Sequence, residues 1–177
     1  MKKILFILIM CFVTMTTFAQ NTIKFLGIPV DGSKKEMITK LEAKGYEYDD
    51  TSDCLFGEFN GEQSIIVIQT VNNKVWRIVI INGELCNEIN AKIKFNKLFN
   101  QLSNNEKYVL LSGKKISDSD DISYEIIVND KRYDAVFGFK DETINGRVWY
   151  MLSKEGSEYN LGMFYENLDN EANGDDL

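Results

Sequence analysis

Histidine is absent from all 177 residues. Without an imidazole there is no Ser-His-Asp or Cys-His nucleophile system, no His-bearing zinc site and no histidine proton relay. Proline occurs once, at Pro29, and cysteine three times, at Cys11, Cys54 and Cys86. The cysteines never form Cys-x-x-Cys, which leaves thioredoxin-like redox chemistry without a carrier. Positive charge is also short, with 20 Lys and Arg against 27 Asp and Glu and a net charge of −7. DNA, RNA and anionic lipid recruit proteins through basic footprints that displace counterions, so no nucleic-acid partner is expected. Gly27, Gly32, Gly57, Gly61 and Gly83 assemble neither Gly-x-Gly-x-x-Gly nor a Walker loop, so no nucleotide cofactor is expected either.

The first residues read as an export leader. Lys2 and Lys3 precede an apolar run from Ile4 to Val13, and Thr14 to Ala19 leads into Gln20. Uncharged apolar sequence ends well short of the roughly 20 residues that a membrane-spanning helix needs. Cleavage after Ala19 is therefore expected to release a periplasmic or secreted product with no membrane span. Cys11 lies inside the apolar run and not behind a small-residue cleavage box, so it does not read as a lipid anchor. Residues 20–166 read as one α+β domain, with the alternative of two subdomains, 20–84 and 85–166, and 167–177 read as an acidic flexible tail.

Turn chemistry and periodicity place the elements. Ser33 and Glu36 have capping-box spacing ahead of a helix that runs to Lys44, with Gly45 as its left-handed stop. Period-two runs punctuated by Asn60-Gly61, Asn72-Asn73 and Asn82-Gly83 predict strands at Cys54 to Phe59, Ser64 to Val71 and Val75 to Ile81, with a weaker one at Tyr46 to Asp50. In the last of these, alternation puts Trp76, Ile78 and Ile80 on one face and Val75, Arg77, Val79 and Ile81 on the other. Both faces are then largely apolar, so helices or a second sheet are expected to cover at least part of the outer one. A second helix to Leu102 carries the stripe Ala91, Phe95, Leu98, Phe99 and Leu102, widened by Ile89 and Ile93. Strands are expected again at Tyr108 to Leu111, Ile122 to Val128, Arg132 to Phe139, Gly146 to Leu152 and Tyr159 to Glu166, around a polar loop at Lys114 to Asp121. Leu55-Phe56-Gly57-Glu58-Phe59 parallels Val136-Phe137-Gly138-Phe139, as a distant repeat would. The predicted class is α+β, with antiparallel meanders packed on two helices and the option of two tandem helix-plus-meander modules.

Few residues offer chemistry. A histidine-free, glycosidase-like hydrolase would need two carboxylates facing each other across a cleft, and Glu58, Glu62, Glu84, Glu125 and Asp134 are the candidates. Asp118-Ser119-Asp120-Asp121 offers oxygens to calcium but lacks the rest of an EF-hand loop, so no metal is expected. Cys54 and Cys86 could bridge in an oxidising compartment or stand as two ordinary thiols. A strand-borne set of aromatic and arginine residues, Trp76, Arg77, Arg147, Trp149 and Tyr159, is the candidate interaction surface, since rigid rings and guanidinium groups anchor partners well. Function is accordingly expected to be non-catalytic binding of an envelope or extracellular protein or glycan, with the hydrolase as the alternative.

Phe25-Leu26-Gly27-Ile28-Pro29-Val30-Asp31-Gly32-Ser33, together with Leu41-Glu42-Ala43-Lys44-Gly45-Tyr46, resembles the small exported proteins of gut Bacteroidales. More remotely, the helix followed by Phe-Gly-bearing strands resembles the helix-plus-meander modules of beta-lactamase-inhibitory-protein-like folds, in which two modules lie side by side. That resemblance implies a sheet surface that binds another macromolecule and transfers no binding residue position by position.

Overall fold

The computed structural model describes residues 21–171. The leader reading, with Cys11, lies outside them. Among the described residues, no helix is long and apolar enough to cross a membrane.

An antiparallel eight-stranded sheet carries three helices on one face. After a two-stranded ribbon, β1 (Lys24–Phe25) and β2 (Ile28–Pro29), helix α1 (Lys34–Glu42) leads into β3 (Glu47–Asp49), β4 (Cys54–Phe59), β5 (Glu62–Val71) and β6 (Lys74–Asn82). Helix α2 (Glu88–Ser103) is followed by β7 (Tyr108–Gly113), helix α3 (Ile122–Asn129), β8 (Asp134–Phe139), β9 (Gly146–Glu155) and β10 (Glu158–Asn167). The sheet order is β3-β4-β5-β6-β10-β9-β8-β7, so the two meanders meet through their last strands. The fold is thus α+β, built from antiparallel meanders packed against helices.

Local chemistry explains most of the boundaries. Ser33 and Glu36 form the capping box that opens α1, each accepting from the other's backbone N–H. At the other end Tyr46 N–H reaches Leu41 O and Gly45 N–H reaches Glu42 O, with Gly45 at φ +94°. This is a Schellman closure, sealed by burial of Leu41 and Tyr46 together. Gly57 lies under that tyrosine: a Cβ there would stand 2.5 Å from the Tyr46 ring, whose hydroxyl donates to Glu58 O at 2.8 Å.

The helix-facing side of the sheet is the core. Met37 and Leu41 from α1 and Ala91, Phe95, Leu98 and Leu102 from α2 cover Leu55, Ile66, Ile78, Ile80, Phe137, Val148, Tyr150, Leu161 and Met163. Tyr150 packs its ring 4.8 Å from Phe95 and donates to Phe95 O at 3.3 Å. Burial pushes the phenols of Tyr150 and Tyr165 well above their ordinary value of 10.0. A folded pKa raised above the unfolded one leaves stability intact below about pH 10 and removes it as pH climbs beyond. In an alkaline titration these two tyrosines are expected to gain phenolate absorbance only together with loss of secondary structure. Ionisation of every tyrosine before any unfolding would contradict the assignment.

Several expectations are corrected. Ile122 to Val128 is helix α3 and not a strand: Asp121 accepts from Tyr124 N–H at 2.9 Å as N-cap, the Glu88 carboxylate accepts from Ile122 N–H, and Ile122 is fully buried. Capping and docking through one side chain outweigh the β-branched content. Ile89 and Ile93 do not widen the α2 stripe, being 70 % and 58 % exposed on the side turned from the sheet, and Phe99 is only partly buried. The Phe-Gly parallel also fails in register. Phe56 is exposed, whereas Phe137 is buried under the helices, because a one-residue slip moves a strand residue to the opposite face. The stretch expected to fray begins with fixed contacts: Asn167 donates to Val30 O, Leu168 N–H to Asn145 O, and Asn170 to Asp31 and Val75 O. Residues 172–177 lie outside the described part. Cys54 and Cys86 are both free thiols.

Candidate interaction surface

No described element covers the second face of the sheet. Its residues follow from strand alternation and from one bulge. Between β5 and β6 the register slips at Gln69/Thr70, where Trp76 is the extra residue. Val75, Ile78 and Ile80 therefore all face the helices, nearly fully buried, while Trp76 joins Arg77 on the open side, with the guanidinium carbon 3.8 Å from its ring centre. The expected grouping of Trp76 with Ile78 and Ile80 is corrected accordingly.

Cross-strand pairing builds the centre of this face. Val67, Val79, Phe164, Trp149 and Val136 lie in one row across β5, β6, β10, β9 and β8. Trp149 and Phe164 stack at 3.8 Å with planes 6° apart. Gly162 makes room for this, since a Cβ there would already touch the Phe164 ring at 3.4 Å. The next row is ionic: Gln69, Arg77, Glu166 and Arg147. Arg77 Nη2 lies 2.5 Å from Glu166 Oε1, Arg147 Nε donates to Glu166 Oε2, and Arg77 Nη1 donates to Gln69 Oε1 at 3.3 Å. Glu166 is fully buried between the two guanidinium groups, which remain 22 % and 37 % exposed. Arg147 also reaches Glu171 at 3.8 Å. Arg77 Nε and Trp149 Nε1 are buried here without a hydrogen-bond partner, a costly condition for a donor.

Four of the five residues singled out from sequence, Trp76, Arg77, Arg147 and Trp149, thus share one face of β6 and β9. Tyr159 does not join them. It lies on the opposite face of β10, 1 % exposed, with its hydroxyl 3.5 Å from Glu88 Oε2 and its pKa raised by burial. Phe164 and Glu166, absent from the sequence candidates, complete the arrangement. Their signal was the alternation of β10, in which Asn160, Gly162, Phe164 and Glu166 oppose the buried Tyr159, Leu161, Met163 and Tyr165.

The candidate acid–base carboxylates are scattered. Glu62 is held by Lys94 and Asn82, Glu125 by Lys131 on α3, and Glu84 is exposed in the link before α2. Glu58 and Asp134 share the open face but stand on β4 and β8, five strand spacings or roughly 24 Å apart. In the Asp118 to Asp121 loop, Lys92 takes the backbone oxygens of Asp118 and Asp120, and Asp121 caps α3. Among the described residues, no three His, Cys, Asp or Glu side chains cluster as metal ligands. The chain matches no family model, no curated protein and no solved structure.

Proposed function

We propose that this chain is a non-catalytic binding protein whose docking surface is the uncovered sheet face centred on Trp76, Arg77, Arg147, Trp149 and Phe164. The single observation that carries the reading is the stacked Trp149–Phe164 pair set beside the arginine-bracketed Glu166 on a face that no described element covers. Aromatic and arginine side chains dominate binding energy where they stand on rigid elements, because little side-chain freedom remains to be lost. Size favours a protein as partner. Eight strands span about 34 Å at ~4.8 Å per spacing, and six residues rise about 20 Å, giving roughly 700 Å², close to the ~800 Å² that one side of a standard protein interface contributes. The leader-like N-terminus supports an encounter outside the cytoplasm.

The test begins with iodide quenching of tryptophan emission in the wild type and in Trp76→Phe and Trp149→Phe. At least one indole is expected to be quenchable. Wild-type and Trp149→Asp proteins are then used as baits against envelope extract, and any species held by the wild type is purified and titrated back in binary form. Loss of at least tenfold in affinity for Trp149→Asp at an unchanged melting temperature is the expected result. Two unquenchable tryptophans, or equal affinity for both baits, would remove the face as a docking surface.

A further inference from the structure

The two edges of the sheet differ in kind. The β3 edge is three residues long and carries Glu47 and Asp49, which blunt it against further pairing. The β7 edge is six residues long and contains no charge from Tyr108 to Gly113. Val109, Leu110 and Leu111 are 42 %, 41 % and 61 % exposed. Val109 pairs with Gly138, and Leu111 lies against it, so these two side chains continue the open face to its margin. The register slip between Leu110 and Ser112 leaves Tyr108 to Leu110 as the regular part of this edge.

Charge marks what could lie along it. Lys107 precedes the strand and Lys114 and Lys115 follow it. Beyond its end, Lys114 and Lys115 share a cleft with Lys131, Arg132 and Tyr133, where Asp120 and Asp134 are the carboxylates. This concentration of cations is out of keeping with a chain of net charge −7. Tyr133 is 7 % exposed beside Lys131, whose ammonium lies 4.6 Å from the ring centre and 3.4 Å from Glu125 Oε2. A cleft of clustered ammonium and guanidinium groups is suited to a ligand that brings carboxylate oxygens.

The geometry points to β7 as a strand-addition site for an extended segment of another polypeptide, apolar along Tyr108 to Leu110 and acidic where it passes Lys114, Lys115 and Arg132. The unpaired outer N–H and C=O groups of an edge strand supply affinity, and alternate side chains supply selectivity. A second copy of this chain is disfavoured as occupant, since antiparallel pairing of two β7 edges sets Lys107 of each against Lys114 and Lys115 of the other, and like charges opposite one another destabilise a pair. The β7 edge adjoins the open face, but strand addition uses its outer backbone groups and the lysines beyond it, so either proposal stands without the other.

A displayed library of random nine-residue peptides, selected against the full purified chain, tests this. Enriched peptides are expected to alternate Val, Ile, Leu or Tyr with polar residues and to carry two or more Asp or Glu toward one end. The best of them, made synthetically, should lose at least tenfold in affinity for Lys114→Glu/Lys115→Glu, whose altered side chains are exposed. It should also lose binding when its alternate amides are N-methylated, and it should slow amide exchange in β7. No enrichment above background would overturn the proposal. So would peptides that bind the double variant equally and leave β7 exchange unchanged, or a chain that self-associates through β7 as its concentration rises.

Discussion

Phe95→Ala is expected to cost about 3–5 kcal/mol in denaturant-melt stability, the range for removing a fully buried aromatic whose site cannot collapse. Phe95 is 1 % exposed in the middle of α2, with the Tyr150 ring packed at a tilt beside it and Ala91, Leu98 and Leu102 on the same stripe. Tyr150 cannot move into the void freely, because its ring is also placed by Phe137 at 6.5 Å and its hydroxyl by the Phe95 carbonyl. The comparable change at Phe99 should cost less. That ring meets Phe137 edge-on at 5.9 Å but keeps part of its surface in water. A loss below about 1 kcal/mol at Phe95 would mean that α2 does not pack on β9 as described.

Glu166→Ala is expected to cost about 2–3 kcal/mol, together with any affinity of the open face. Removing one member of a buried ion pair typically costs 3–5 kcal/mol, since the remaining charge is left uncompensated. The lower figure applies because Arg77 and Arg147 retain access to water at 22 % and 37 % exposure and can turn outward. Glu166→Gln separates charge from packing: it keeps the volume, leaves two cations around a neutral amide, and should recover less than half of the loss. Denaturant melts of the two variants at low and high salt make the comparison. A Glu166→Ala variant as stable as the wild type would mean that the guanidinium groups do not depend on this carboxylate.

The sequence carried the local features well. Ser33 with Glu36 and Gly45 are side-chain and backbone preferences that act within a few residues, and Asn60-Gly61 and Asn72-Asn73 adopt the positive φ angles that tight hairpins demand. Features decided by distant partners were hidden. Ile122 to Val128 has strand composition, and only the caps and the docking of Ile122 against Glu88 make it a helix. The bulge at Trp76 leaves no mark in a run of alternating residues, and it reverses the face of everything before it. The site divides in the same way. That Arg77, Arg147 and Trp149 lie on strands is legible in the sequence, whereas the inward side of Tyr159 depends on the β10 register. Glu166 became visible as their organising carboxylate only once β10 was set between β6 and β9.

The position of the seam bears on how the chain reaches its native state. Among the described strands, every sheet pairing except β6 with β10 joins strands that follow one another in the chain, β7 and β8 across the link that carries α3, so the remaining pairs can zip from short turns with little loop-closure entropy to overcome. The join that sets Ile80 beside Met163 and Arg77 beside Glu166 must bring residues from the middle of the sequence to residues near its end. Interactions formed after the rate-limiting step govern unfolding more than folding. Substitutions at this seam are therefore expected to speed unfolding more than they slow folding, and those in the turns to do the reverse.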